Sequence, residues 1–156
     1  MQATSIFVVL APLAALVLGA IGFGGGIYET VLIDPVWPRS PAVIQPSRGG
    51  INRKLFWGPV QGLYELALLT AAWMTWSVID ARWWIITALA AHFIARAWSF
   101  MYFIPNALRF EKSGDLTQEQ QREARRWTRL SRCRPVLEAL SIIAQCAVIL
   151  LAVRHP

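Results

Sequence analysis

The chain has 156 residues, of which 56% are hydrophobic and only 15% charged, with eight tryptophans and a formal net charge of +6. This is too apolar for an ordinary water-soluble domain of its size. No recognised nucleic-acid-binding module carries the positive charge, so no nucleic-acid partner is expected, and the charge reads as membrane topology with some attraction to anionic lipid headgroups.

Four apolar segments follow in chain order, at about 6–33, 56–79, 83–108 and 135–153. Each reaches or approaches the roughly 20 residues that an α-helix needs to cross about 30 Å of hydrocarbon. The expected fold is all-α: an integral membrane four-helix bundle forming a single transmembrane domain over 1–156, with a short amphipathic helix in the loop before the last transmembrane helix.

The first segment is not read as a cleaved secretory signal, because residues 1–5 carry no basic side chain and the apolar run is too long. Gly19, Gly22, Gly26 and Glu29 share one face of it. Its glycines point to close helix packing. The loop at about 34–55 holds Pro35, Pro38, Pro41 and Pro46, which predicts an extended, irregular path, with Val36 and Trp37 lying back against the membrane face.

The second segment carries Gly58, Gln61, Gly62 and Glu65, and Asp80-Ala81-Arg82 is expected to form a minimal turn into the third. There His92, Arg96, Ser99 and Asn106 fall on one face at 3.6 residues per turn. The loop at about 109–134 contains "SGDLTQEQQREARRWTRLSR". Thr117 can cap a helix with Gln120 three residues on, and Leu116, Gln120, Trp127 and Leu130 give it one weakly apolar side, with a bend near Pro135. In the last segment Arg134, Glu138, Ser141 and Gln145 repeat the polar stripe. Cys133 and Cys146 are about 20 Å apart along a helix, beyond disulfide reach, and no zinc motif surrounds them.

Basic residues set the expected orientation. Arg39, Arg48, Arg53 and Lys54 lie in one long loop, Arg109, Lys112, Arg122, Arg125, Arg126, Arg129, Arg132 and Arg134 in or beside the other, and only Arg82 and Arg154 on the opposite side. The positive-inside bias predicts a multi-pass protein of the cell membrane, with both basic loops cytoplasmic and both termini on the other side.

Ionisable groups within a membrane face a bundle interior or a wet cavity and pair with one another. Glu29, Glu65, Arg96, Arg134 and Glu138 are therefore expected to converge in the cytoplasmic half, with His92 deeper. Structural ion pairs, Glu65 with Arg96 and Glu138 with Arg134, are the plainer reading of the same residues. Trp57, Trp83 and Trp84 read as interface anchors, and Trp73, Trp76 and Trp98 as walls for a flat ligand. A metal is not expected: Glu29, Glu65, His92 and Glu138 offer ligands, but the Glu-x-x-His spacing of di-iron bundles is missing and Arg96 and Arg134 would repel a cation.

The segments "GGGIYETVLIDP", "FWGPVQG", "YFIPNALRF" and "RRWTRLSRCR", in this order, resemble the anthrone-oxygenase-like family of four-helix integral membrane proteins. The shared features, over about 18–143, are a Gly-rich first helix with Tyr28 that ends at Pro35, the Pro105-Asn106 pair, and Trp127 with Arg134 before the last helix. The chain departs from the family at Ser131 and Asp34, where members carry His. The resemblance implies an oxygenase without cofactor that acts on a flat phenolic or quinol-like molecule. On that reading His92 or Glu65 is the base and Arg96, with Arg134, holds the anion. Tyr28, Glu29, Tyr64, Trp73, Trp98, Asn106, Trp127, Arg134 and Glu138 would bind the substrate. The expected partners are an apolar aromatic small molecule or lipid and the membrane lipids. The alternative is a non-catalytic membrane subunit or small-molecule binder, working in a membrane complex or homo-oligomer.

Overall fold

The computed structural model describes residues 2–154. Among them the chain is all-helical, with α1 (Gln2–Tyr28), α2 (Lys54–Thr75), α3 (Ile79–Trp98), α4 (Ile104–Lys112), α5 (Gln118–Ser131) and α6 (Arg134–Arg154). Three helical stretches, Ile6–Ile33, Ile79–Lys112 and Gln118–Arg154, are long and apolar enough to cross a membrane. The 22 residues of α2 rise about 33 Å, a comparable length, but Gly58, Gln61, Gly62 and Glu65 dilute its apolar character.

Apolar side chains face outward to an unusual degree. Leu66, Trp73, Trp83, Met101 and Val136 are all exposed, whereas the interior between α2, α3 and α6 is built largely from Ala71, Ala72, Ala81, Ala88 and Ala144 around Leu68, Ile85 and Val148. Small residues let backbones approach closely, which is how helices gain contact when their surroundings are as apolar as their side chains. α6 lies against both α1 and α3, and α1 against α2, while α2 and α3 touch far less.

A chain of hydrogen bonds pins this alanine seam. Gln145 Nε2 donates to Tyr64 Oη (2.7 Å) and Ser141 Oγ donates to the Ala88 carbonyl (2.9 Å). A hydroxyl has one proton, so the 2.8 Å contact between them runs from the Tyr64 hydroxyl to Ser141 Oγ. Helices α2, α3 and α6 are thereby locked in register.

A second core is aromatic and sits under the long loops. Trp37 is fully buried, 5.2 Å from Phe110 and edge-on to Trp127 at 5.7 Å, with Ile44, Phe103 and Leu116 around it. Trp127 Nε1 donates to the Phe103 carbonyl (3.1 Å). Gln45 Nε2 donates to the carbonyls of Phe110 (3.1 Å) and Gly114 (2.6 Å), satisfying acceptors that the end of α4 leaves open.

Several sequence expectations change here. Residues 34–53 are not extended: they form turns and two 3-10 segments, Pro41–Ile44 and Pro46–Arg48, for which the fixed φ of proline is suited. Trp37, rather than lying on a membrane face, closes the aromatic core. The turn after α2 falls at residues 76–78 instead of 80–82. Val78 is extended, Asp80 complements the positive start of α3, and Arg82 Nε caps the Trp76 carbonyl at 2.6 Å. The third apolar segment does not stop at 108: α3 passes through a wide π-turn, Ser99–Phe103, immediately before Pro105 removes a bond from the ladder, and continues as α4. A second π-turn, Glu29–Ile33, ends α1. The expected helix before α6 is present as α5, with its capping box complete: Gln120 N donates to Thr117 Oγ1 (3.3 Å) and Thr117 N to Gln120 Oε1 (2.9 Å).

Trp37→Ala should lower folding stability by about 3–5 kcal/mol, the usual cost of emptying a fully packed aromatic site. Trp73→Ala, at a side chain that is 77% exposed, should leave it nearly unchanged. Thermal unfolding of both variants in detergent checks the contrast.

Candidate functional site

Between the alanine seam and the aromatic core lies a cavity of about 380 Å³, within the size range of small-molecule sites. The two π-turns flank it, one contributing Glu29 and Thr30, the other Ser99, Phe100 and Phe103. Its exposed lining residues, Lys54, Gly58, Phe100 and Ile104, belong to α2 and to the junction of α3 with α4. The mouth therefore opens where α2 and α3 part.

One end of the cavity is a charge network. Trp57 Nε1 donates to Glu29 Oε1 (2.8 Å). Arg53 lies 4.0 Å from Glu29 and 3.5 Å from Glu111, with its guanidinium 5.8 Å from the Trp127 ring, and Lys54 Nζ reaches Glu111 at 2.9 Å. Arg134 stacks on Phe103 (4.4 Å) and Trp127 (5.7 Å) and donates through Nη2 to Ser131 Oγ (2.8 Å). On the other wall Arg96 Nε pairs with Glu65 Oε1 at 2.5 Å and lies over Phe100 at 4.5 Å. His92, 1% exposed, has Nε2 3.7 Å from the same Glu65 oxygen and its ring edge-on to Tyr64 at 4.6 Å.

Polar atoms without a partner concentrate here. Gln61 Oε1, His92 Nε2, Arg134 Nε and Glu138 Oε2 are all buried, lack a hydrogen bond, and belong to cavity-lining residues. A buried polar group left unpaired costs on the order of 1–3 kcal/mol, so four around one space offer a ready complement to an oxygen-bearing molecule. A Cβ at Gly26 would stand in ordinary contact with Glu138 Oε2, at 3.4 Å. Among the described residues no group of three His, Cys, Asp or Glu side chains is placed to hold a metal ion.

Of the residues singled out in the sequence, Glu29, His92, Arg96, Trp127, Arg134 and Glu138 line the cavity, and Glu65 touches it through Arg96 and His92. Tyr64 stands behind His92 in the hydrogen-bond chain of the seam. Tyr28 and Trp73 are exposed and outside the cavity, and Trp98 packs on Phe103 without lining it. Asn106 also lies outside, its Nδ2 bonded to the Tyr102 carbonyl at 2.8 Å. The reason is the π-turn: one extra residue in the helix rotates everything after it by about 100°. The paired Glu138 and Arg134 of the plainer reading do not form an ion pair, because the Arg134 guanidinium stacks on rings instead. Arg53, Lys54, Trp57, Gln61, Glu111 and Ser131 also line the cavity. Trp57 had the look of an interface anchor, and Arg53 and Lys54 that of topological charge; Glu111, a carboxylate between Arg109 and Lys112, was the available signal for a local neutralising role.

Beside the cavity Asp34 is 2% exposed, takes a 3.1 Å hydrogen bond from Trp37 Nε1 on Oδ1, and leaves Oδ2 unpartnered. Burial pushes its carboxyl up to about 6, against the opposing pull of Trp37. A carboxyl raised in the folded state destabilises the fold once ionised, by on the order of 2–3 kcal/mol above pH 6, and this penalty disappears as pH falls from about 6 toward 4. Asp34→Asn, which keeps an acceptor for Trp37, should therefore raise the unfolding temperature at pH 7.5 more than at pH 4.5, as read by thermal melts at the two values.

Comparison with protein-family models, with characterised proteins and with solved structures finds no match to this chain.

Proposed function

We propose that the chain is a four-span membrane protein that oxidises a flat phenolic or quinol-like molecule with dioxygen inside the cavity. The observation that carries this reading is the set of unpartnered polar atoms within an aromatic wall: His92 Nε2, Arg134 Nε, Gln61 Oε1 and Glu138 Oε2 beside Trp57, Phe100, Phe103 and Trp127. The rings suit a planar apolar body, and the polar atoms suit oxygens at its edge. The sequence resemblance to anthrone oxygenases, which need no cofactor, agrees with that chemistry.

In the proposed reaction His92 Nε2 takes a proton from a ring CH2 activated by a neighbouring phenol or carbonyl, and the Glu65 carboxylate, 3.7 Å from that nitrogen, stabilises the imidazolium so formed. Arg96 and Arg134 hold the oxyanion so formed. The carbanion carbon gives its electron pair to dioxygen, a C–O bond forms, and the proton returns to make a hydroperoxide. Loss of water leaves a carbonyl, so one dioxygen becomes one carbonyl oxygen and one water while CH2 becomes C=O.

The fourth span is α2. Its exposed face is mostly apolar, with Leu55, Leu63, Leu66, Leu69 and Trp73, and Thr70 beside them returns its hydroxyl to the Leu66 carbonyl at 2.8 Å; Gln61 and Glu65, the polar groups that dilute its hydropathy, face the cavity and Arg96. The basic segments before α2 and before α6 face the cytoplasm on the charge bias.

Oxygen uptake by the purified protein with a panel of anthrones and quinols tests the activity. His92→Gln and Arg134→Gln should each lower turnover roughly 100-fold or more while melting close to wild type. A wild-type protein that binds these compounds without consuming oxygen would establish the binder reading instead. For topology, Ser47→Cys in a Cys133→Ser/Cys146→Ser background should react with an impermeant maleimide only after cells are permeabilised; labelling in intact cells reverses the orientation.

A further inference from the structure

A second pocket, of about 290 Å³, lies between the segment leaving α1 and the face of α5, and shares no lining residue with the cavity. Arg125, Arg129 and Arg132 recur on one face of α5 and the turn after it, and Arg39 comes from the opposite wall. Buried Asp34 and Thr128 complete it. Pro35 and Pro38, whose ring-locked φ fixes the chain, stiffen the wall that carries Arg39.

These arginines differ from others in the molecule. Arg48 pairs with Asp115 (2.7 Å), Arg53 with Glu111 (3.5 Å), Arg96 with Glu65 (2.5 Å) and Arg109 with Glu123 (2.6 Å). Among the described residues Arg39, Arg125, Arg129 and Arg132 form no ion pair. Arg125 and Arg129 are also one helical turn apart, a spacing at which like charges repel. Asp34 gives one oxygen to Trp37 and leaves the other unpartnered, and the pocket stays net cationic whether or not that carboxyl holds a proton.

We propose that this pocket binds a phosphoryl anion. The four arginines are exposed but stand on two walls of one concavity, so several guanidinium groups can share the anion's oxygens in charge-assisted, fork-shaped hydrogen bonds. The pocket stands where the chain leaves α1 and before it enters α6, two helices that pack side by side. Exposed Leu32, Val36 and Val136 lie in those same segments. A phospholipid headgroup seated on the arginines would thus have apolar surface beside it for its acyl chains, as basic pockets between membrane helices provide.

Native mass spectrometry of the full chain from nanodiscs of phosphatidylcholine, with and without phosphatidylglycerol, supplies the test, together with titration of inorganic phosphate in detergent. Wild type should retain phosphatidylglycerol or show a saturable melting shift with phosphate. Arg125→Gln/Arg129→Gln should weaken that binding roughly tenfold or more, and Arg122→Gln/Arg126→Gln, the same charge change outside the pocket, should not. Retained lipid that phosphate does not displace assigns the site to a headgroup; a phosphate shift without lipid retention assigns it to a free phosphate. Equal losses in the two double variants, or no binding of either probe by wild type, would overturn the proposal. Should Arg125→Gln/Arg129→Gln not fold, Arg39→Gln on the opposite wall carries the same comparison.

Discussion

A guanidinium taken out of water needs carboxylates and aromatic faces in its place, and Arg53 has both. It is 8% exposed, stands at the start of α2, reaches Glu29 at the end of α1 and Glu111 on α4, and lies over Trp127 of α5. Four parts of the chain thus meet on one cation. Removing such a group would leave Glu29 with Trp57 and Glu111 with Lys54 but nothing joining the two, so the loops, the aromatic core and one end of the cavity would lose their common tie.

The cavity follows from a mismatch between two kinds of packing. Alanines bring α3 and α6 close at one level, while Trp37, Phe103, Phe110 and Trp127 demand more room at the other. The helices cannot satisfy both spacings without opening, and the space between is lined by side chains from each. The two π-turns are the local means of adjustment: the one at Ser99–Phe103 inserts a residue and re-aims the helix beyond it, and the one at Glu29–Ile33 ends α1 and turns the chain away. Tyr64, Ser141 and Gln145 hold the narrow level fixed while this happens.

Helical periodicity made a good part of this legible in the sequence. The all-helical class, the apolar stretches and the inward stripe from His92 to Ser99 follow from 3.6-residue spacing, and the capping box of α5 from Thr117 and Gln120. The stripe failed at Asn106 because a π-turn leaves no sign in residue spacing until its effect on the following face is seen. Trp73, expected as a cavity wall, is exposed and Trp37, expected on a membrane face, is buried, for a related reason: tryptophan suits an apolar surface and a packed core equally, and only tertiary neighbours decide. Arg53 and Glu111 were hidden by their loops, where a charge reads as solvent or topology until a partner 58 residues away is placed against it.

The gap between α2 and α3 has a consequence for supply. A mouth rimmed by Lys54, Gly58, Phe100 and Ile104 has exposed apolar side chains next to it in the chain, Leu55 and Met101 among them. On the proposed reading a compound entering here would travel along those surfaces, so its local abundance would follow its partition coefficient between oil and water rather than its aqueous solubility. Two molecules of equal fit but unequal lipophilicity would fill the cavity to different degrees at the same total concentration, and the surrounding phase would do part of the selecting.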